Sequence, residues 1–191
     1  MLPAEAVRQL AAAGVPDPQR DVQRLFDWAF EQGRAAGGAQ SRDAPNAATL
    51  TAFRQAIDAR LARRPVSRIT GLRAFWKHEF VISDAVLDPR PDTETLVELA
   101  LAEPFATVLD LGTGSGCILL SLLAERPGAT GLGTDISAEA LSCARDNAAR
   151  LGVSRAAFAQ SDWFAEVHGA FDLIVSNPPY IAASEIAGLA P

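Results

Sequence analysis

Cysteine and histidine are nearly absent, with two of each in 191 residues. Cys117 and Cys143 fall in expected helices with no companion His or Cys at metal-ligand spacing. No metal site and no disulfide framework is therefore expected, and the two thiols read as reduced core residues of a cytoplasmic protein. No apolar run approaches the length that crosses a bilayer, so no membrane span is expected. Met1-Leu2-Pro3-Ala4-Glu5 carries charge where an export signal keeps its apolar core, so no export signal is expected either. A surplus of positive charge is also missing. The net charge is −6, and without a basic surplus no stable grip on nucleic acid is expected, because phosphate contacts supply most of that affinity. Apart from a general richness in alanine, the chain has no low-complexity tract and no internal repeat.

What is present describes an ordinary globular chain, 49% hydrophobic and 21% charged. Its length suits one good core, or one core with a small helical appendage. Charge is unevenly placed: residues 1–100 sum to zero and residues 101–191 carry the whole −6. Within the neutral half, Arg54, Arg60, Arg63, Arg64, Arg68 and Arg73 face only Asp58. Such a stretch is either the solvated face of a helix and its exit loop or a docking surface for an acidic partner or RNA.

Residues 1–64 read as a helical bundle. Helices are expected over 4–13, 19–36 and 47–63, broken by Gly14 with Pro16, by the loop around Gly37 and Pro45, and by Pro65. The second helix sets Val22, Leu25, Phe26, Ala29 and Phe30 on one face, and the third does so with Leu50, Phe53, Ile57 and Leu61. Residues 65–90 read as a connecting segment in which Ala74 to Ile82, aromatic and β-branched, suits one strand or a hairpin. Asp88-Pro89-Arg90-Pro91-Asp92-Thr93-Glu94 is a stiff turn opening a further helix. From there strands near 106–111, 130–135, 156–160 and 171–176 alternate with helices near 115–125 and 137–151. Parallel strands need crossovers, which these helices supply, so residues 91–191 are expected to form a doubly wound α/β sheet.

Chemistry gathers at the expected strand ends. The first strand runs into Asp110-Leu111-Gly112-Thr113-Gly114-Ser115-Gly116, whose glycines let backbone approach a ligand closely beside the free N–H groups of a helix. The spacing is G-x-G-x-G, not the G-x-G-x-x-G that seats a dinucleotide pyrophosphate. Glycine turns also join strands to helices with no ligand at all. Asp135 ends the second strand, where a carboxylate can accept both hydrogen bonds of a ribose diol, or else cap the following helix as Ser137 also can. Ser161-Asp162-Trp163 follows the third strand, and Trp163 is either an aromatic face for an adenine or simple core. The fourth strand runs into Asn177-Pro178-Pro179-Tyr180. Its first proline forbids a continuing helix and removes an N–H, while the Pro178 carbonyl remains an acceptor. The Asn177 side-chain oxygen and that carbonyl are suited to accept both N–H bonds of an amine or amide, with Tyr180 packed on the planar group. A plain proline-rich turn is the alternative.

The order of these pieces resembles that of S-adenosyl-L-methionine-dependent amino methyltransferases. Residues 65–183 are more closely similar to the HemK/PrmC family, the protein-(glutamine-N5) methyltransferases of peptide chain release factors. The matching pieces are Pro65-Val66 leading to Gly71, Phe75-Trp76, Pro89-Arg90-Pro91-Asp92-Thr93-Glu94, Asp110 through Gly116, Asp135, Ser161-Asp162-Trp163 and Asn177-Pro178-Pro179-Tyr180-Ile181. The resemblance implies a Rossmann-like methyltransferase domain behind a helical domain that helps to grip the substrate. It implies that Gly112, Thr113, Gly114, Ser115, Gly116, Asp135, Asp162, Trp163 and Asn177 contact S-adenosyl-L-methionine. Asn177, Pro178, Pro179 and Tyr180 would hold the glutamine of a Gly-Gly-Gln loop. The family continues beyond Asn-Pro-Pro-Tyr with further strands, so a chain ending at Pro191 is expected to be truncated. Two other readings remain open at this point: a methyltransferase for exocyclic amines of nucleic-acid bases, which commonly adds a basic surface, and a binding fragment that does not turn over.

Overall fold

The computed structural model describes residues 2–37 and 39–178. Pro179 and Tyr180 of the Asn-Pro-Pro-Tyr motif lie outside the described residues. The chain forms two compact units, one over Met1–Gly71 and a second that starts at Leu72.

The first unit holds α1 (Pro3–Ala12), α2 (Pro18–Ala35), α3 (Ala47–Leu61) and the short α4 (Val66–Thr70). Proline in the first turn starts both α1 and α2, where its missing N–H costs nothing. The Asn46 side chain caps α3 by accepting the Thr49 N–H at 2.9 Å, and its amide donates to the Gly33 carbonyl of α2 at 3.1 Å. Gly33 is there for space: a Cβ would run into the Thr49 hydroxyl. Leu10, Val22, Leu25, Ala29, Phe53 and Ile57 form the core, and Phe26 meets Phe53 edge to face at 5.2 Å. The α3 stripe differs from the expected one, because fully buried Thr49 replaces Leu50 at the contact with α2. α4 is an addition inside the stretch read as connecting segment, and Gly71 ends it in the left-handed region at φ 69°.

Two arginines of the basic stretch are committed inside this unit. Arg60 pairs with Asp21 of α2 at 2.7 Å, with both side chains largely covered. Arg63 donates to the carbonyls of Ala13 and Gly14 at 2.6 and 3.3 Å, closing the C-terminal end of α1. Arg54 and Arg64 remain exposed. Arg60→Ala is therefore expected to lower the stability of the chain by about 1–3 kcal/mol, since it leaves a largely covered carboxylate without its donor. Arg54→Ala should change stability by less than about 0.5 kcal/mol. Urea denaturation of the two variants beside the parent checks the contrast, and equal midpoints for all three would refute it.

The second unit begins with an antiparallel hairpin of β1 (Leu72–Phe75) and β2 (His78–Val81). Its tip is held from several sides. The Trp76 N–H donates to Glu94 at 2.9 Å, the Trp76 indole N–H donates to Glu125 at 3.1 Å, and Lys77 pairs with Glu125 at 2.7 Å. A single 3-10 turn, Pro91–Thr93, leads into α5 (Glu94–Ala102). There follow β3 (Thr107–Leu111), α6 (Cys117–Glu125), β4 (Thr130–Asp135), α7 (Ala138–Leu151), β5 (Ala156–Gln160) and β6 (Leu173–Ser176). The last four strands make one parallel sheet in the order β5-β4-β3-β6. The chain steps from β3 through β4 to β5 in one direction and then returns to the other side of β3, which is the switch of a doubly wound, Rossmann-like sheet.

α6 is buried from Cys117 to Leu123, as a helix with apolar residues on nearly every side must be, and Val97, Val108, Val153 and Val175 pack in the same core. Burial raises the Cys117 thiol to about 12, so it stays protonated. β6 starts later than its apolar pattern suggests because Asp172 serves another purpose. Its carboxylate accepts the N–H groups of Ala106 and Thr107 at 2.9 and 2.8 Å, which pins the entry of β6 to that of β3. At the opposite end the Ser176 hydroxyl donates to the Leu111 carbonyl at 2.9 Å. Among the described residues no helix is long and apolar enough to cross a membrane, and no group of three or more metal-ligating side chains occurs.

Candidate functional site

In an open parallel sheet a ligand finds its crevice beyond the carboxyl ends of the strands, beside the switch point. That edge carries the glycine turn after β3, Asp135 after β4, Ser161 to Trp163 after β5, and Asn177-Pro178 after β6. The register brings the ends together: Leu111 pairs with Thr134 on one side and with Ser176 on the other.

The glycine turn is a left-handed succession. Gly112, Gly114 and Gly116 take φ of 69°, 56° and 77°, a region that a side chain makes costly. The Thr113 N–H donates to the Thr134 carbonyl and the Gly116 N–H to the Thr113 carbonyl, both at 2.8 Å. A Cβ at Gly112 or Gly114 would meet nothing within 4 Å, so bare backbone faces open space there. Gly116 instead packs closely, with Ala144 of α7 3.2 Å from where its Cβ would stand.

Asp135 joins the turn to the next helix. One carboxylate oxygen accepts the Gly114 N–H at 2.9 Å and the other accepts the Ser137 N–H at 3.0 Å. The cap of α7 is Ser137, whose side chain accepts the Ala140 N–H at 3.1 Å. Asp135 thus does not cap the helix in Ser137's place, and each of its oxygens keeps a lone pair beyond the backbone bond. The Ser161 N–H donates to the Asp135 carbonyl at 3.1 Å, which ties the β5 loop to the same point. Trp163 is no core residue. It is 56% exposed and sits at φ 50°, a left-handed conformation that is unusual for a bulky side chain. Asp162 is exposed beside it, and the side chain of Ile136, next to Asp135, is bare as well.

Three residues at this edge had no role assigned from the sequence. Asp110, fully buried, accepts the Thr113 hydroxyl on Oδ2 at 2.7 Å, while its Oδ1 has no hydrogen-bond partner. Burial outweighs the Thr113 hydroxyl and raises its carboxyl from 3.8 to about 7. Asn147 of α7, also fully buried, accepts the Val81 N–H at 2.7 Å and donates to the carbonyls of Val81 and Ser115, each at 2.9 Å. It therefore locks the hairpin to the glycine turn. Thr93, at the end of the 3-10 turn, accepts the side-chain N–H of Asn177 at 2.9 Å. The signal for Asn147 is visible in retrospect: it continues the apolar stripe of Ala140 and Ala144 at helical spacing, where a polar residue needs partners.

Asp110 is expected to make the stability of the fold depend on pH. Its folded value, about 7, lies above the ordinary 3.8, so between those limits the folded chain retains a proton that the unfolded chain has released. Its contribution to stability therefore falls as pH rises through that window and levels off above it. Asp110→Asn should flatten the decline by on the order of 1–4 kcal/mol, a tenfold change in proton affinity being worth about 1.4 kcal/mol. Denaturant midpoints at about pH 5 and about pH 8 test this, and an equal decline in both proteins would clear Asp110 of the effect.

Comparison with known proteins agrees with this architecture. Residues 2–71 match the PrmC N-terminal domain and residues 73–189 match the methyltransferase small domain. A release factor glutamine methyltransferase of Cereibacter sphaeroides is 53% identical over 97% of this chain and 67% of its own length. One from Rhodospirillum rubrum is 49% identical over 96% of this chain and 58% of its own. The chain thus spans about three-fifths to two-thirds of these relatives, 58% and 67%. A solved ribosomal protein L11 methylase from Lactobacillus delbrueckii is 32% identical, with a TM-score of 0.44 over 56% of this chain and 65% of that one. Both family matches fall where the fold divides, and the relatives align across nearly the whole sequence: the chain belongs to the HemK/PrmC family of methyltransferases.

Proposed function

We propose that this chain transfers the methyl group of S-adenosyl-L-methionine to the side-chain amide nitrogen of a glutamine, within the Gly-Gly-Gln loop of a peptide chain release factor. The observation that carries the reading is the adjacency of β3 and β6, which sets the glycine turn beside Asn177 and Pro178. The names of the relatives support release factor as the partner. The reaction belongs in the cytoplasm, where translation ends.

The residues present fit the methyl donor. Bare backbone at Gly112 and Gly114 admits close approach, and Thr113, Ser115 and Gly116 complete that turn. Asp135 has acceptor capacity for a ribose diol, and exposed Trp163, with Asp162 beside it, offers a face and a polar group for an adenine. The unpaired Oδ1 of Asp110 is a buried acceptor at the root of the turn, and a cationic ligand favours its ionised form. When bound, S-adenosyl-L-methionine supplies an electrophilic methyl on a positive sulfur, so the protein has only to position the nucleophile.

Asn177 and Pro178 do that positioning. Two acceptors, the Asn177 side-chain oxygen and the Pro178 carbonyl, hold the two N–H bonds of the substrate amide. That grip orients the nitrogen lone pair and offsets the loss of conjugation as the nitrogen becomes pyramidal. The nitrogen then sheds one proton to solvent. Pro179 and Tyr180 would complete the substrate pocket. No metal and no covalent enzyme intermediate is required. The test is to incubate the chain with the methyl donor and either intact release factor or an adenine-containing oligonucleotide. Methylation of release factor alone is expected, and methylation of the oligonucleotide alone would overturn the reading.

A further inference from the structure

Arg90-Pro91-Asp92-Thr93-Glu94 is distant in sequence from every strand end that forms the site, yet it reaches the Asn-Pro-Pro-Tyr turn directly. We propose that Thr93 is a positioning residue that sets the Asn177 side-chain amide for the transfer reaction; this rests on the function proposed above. The contact spans 84 residues of sequence: Nδ2 of Asn177 donates to Oγ1 of Thr93 at 2.9 Å.

The support around Thr93 is rigid. Proline opens the 3-10 turn, the Thr93 N–H donates to the Arg90 carbonyl at 3.0 Å, and the side chain is buried. β-Branching stiffens its χ1, so the hydroxyl is held in place. The neighbouring residue, Glu94, accepts the Trp76 N–H at 2.9 Å, and the Arg73 guanidinium donates to the Pro89 carbonyl at 3.0 Å. The element is thus anchored to the β-hairpin on one side and presents a fixed oxygen to Asn177 on the other.

The chemistry explains why such a fixture is needed. A carboxamide has an acceptor at one end and donors at the other, and the two ends are nearly equal in shape. A substrate amide that brings N–H bonds needs the oxygen end. With Nδ2 engaged by Thr93, the amide plane of Asn177 is held and its oxygen lies at the opposite end. Without that anchor the side chain loses its held plane, and the misplacement of a reacting group by a fraction of an ångström is costly in rate. Of the expected cofactor contacts only that of Asn177 is reached through Thr93, while those at the glycine turn and Asp135 are not, so its main effect falls on the transfer step.

The experiment compares Thr93→Val, which keeps the shape and removes the hydroxyl, with Thr93→Ser, which restores it. Both are made in the full chain and measured beside the parent. Asparagine-labelled protein gives side-chain amide NMR signals, with the Asn177 pair identified by its loss in Asn177→Ala. Thr93→Val should shift that pair and speed its exchange with water, while Thr93→Ser leaves it near the parent position. Single-turnover methylation of release factor should slow roughly tenfold to a hundredfold in Thr93→Val. S-adenosyl-L-methionine affinity should stay within about twofold, and Thr93→Ser should recover most of the rate. Unchanged amide signals in Thr93→Val overturn the inference, as does a parent-like rate. Equal losses in rate, cofactor affinity and melting temperature also overturn it, because they mark a purely structural role. A parent chain that methylates nothing contradicts the proposed function instead, and the Asn177 amide signals then decide the Thr93 contact alone.

Discussion

Asn177→Ala is expected to slow methyl transfer by roughly 10²–10³ while leaving the fold and the binding of S-adenosyl-L-methionine largely intact, the loss typical of one preorganised hydrogen-bonding group. β6 ends at Ser176, so the substitution removes nothing from the sheet ladder, and it leaves a single short hydroxyl, that of Thr93, without this partner. Asn177→Asp should retain partial activity. It preserves an acceptor but loses the N–H that engages Thr93, and it sets a negative charge beside a positive sulfur. Single-turnover rates with saturating methyl donor separate these outcomes. Parent-like chemistry in Asn177→Ala would reduce the turn to scaffold.

Asp135→Ala is expected to weaken S-adenosyl-L-methionine binding by tenfold or more, since hydrogen bonds to a charged group contribute about 1.5–3 kcal/mol each. The structure gives two reasons for the loss. The carboxylate offers ribose its remaining lone pairs, and it also holds the Gly114 and Ser137 N–H groups, so its removal loosens the turn that cradles the ligand. Asp135→Asn should fall in between: one oxygen still accepts, but the other position becomes a donor and conflicts with one of the two backbone N–H groups. Calorimetric titration of the folded variants reads the difference. Unchanged affinity in Asp135→Ala would remove Asp135 from the binding site.

The strands and helices of the second unit were legible because their signals are local. Strand-like and helix-like stretches alternate at short spacing, and β4 and β5 occupy the expected residues, 130–135 and 156–160. The glycine turn was legible for the same reason, since three left-handed positions in five residues demand glycine. What escaped were the effects of partners distant in sequence. α4 is five residues long, too short to show a period. The basic stretch looked like one surface, but Arg60 turns inward to Asp21 and Arg63 is engaged along the surface by the end of α1, contacts 39 and 50 residues apart. Trp163 could be core or ligand face until its exposure was known, because an aromatic beside a strand has the same local signal in both roles. Thr93 stood in plain view within Arg90-Pro91-Asp92-Thr93-Glu94, but its role exists only through Asn177 on another element. Asp110 likewise read as a mere prefix to the glycines until burial left one of its oxygens unpaired.

The carboxyl edge of this sheet is proposed to methylate a glutamine side-chain amide. The most direct test incubates the chain with isotope-labelled S-adenosyl-L-methionine and intact release factor, then locates the label by fragment-ion mass spectrometry. One labelled methyl is expected, on the side-chain nitrogen of the glutamine in the Gly-Gly-Gln loop, with its loss in Asn177→Ala. Label on any other residue, or label on that glutamine that persists at the parent rate in Asn177→Ala, would contradict it.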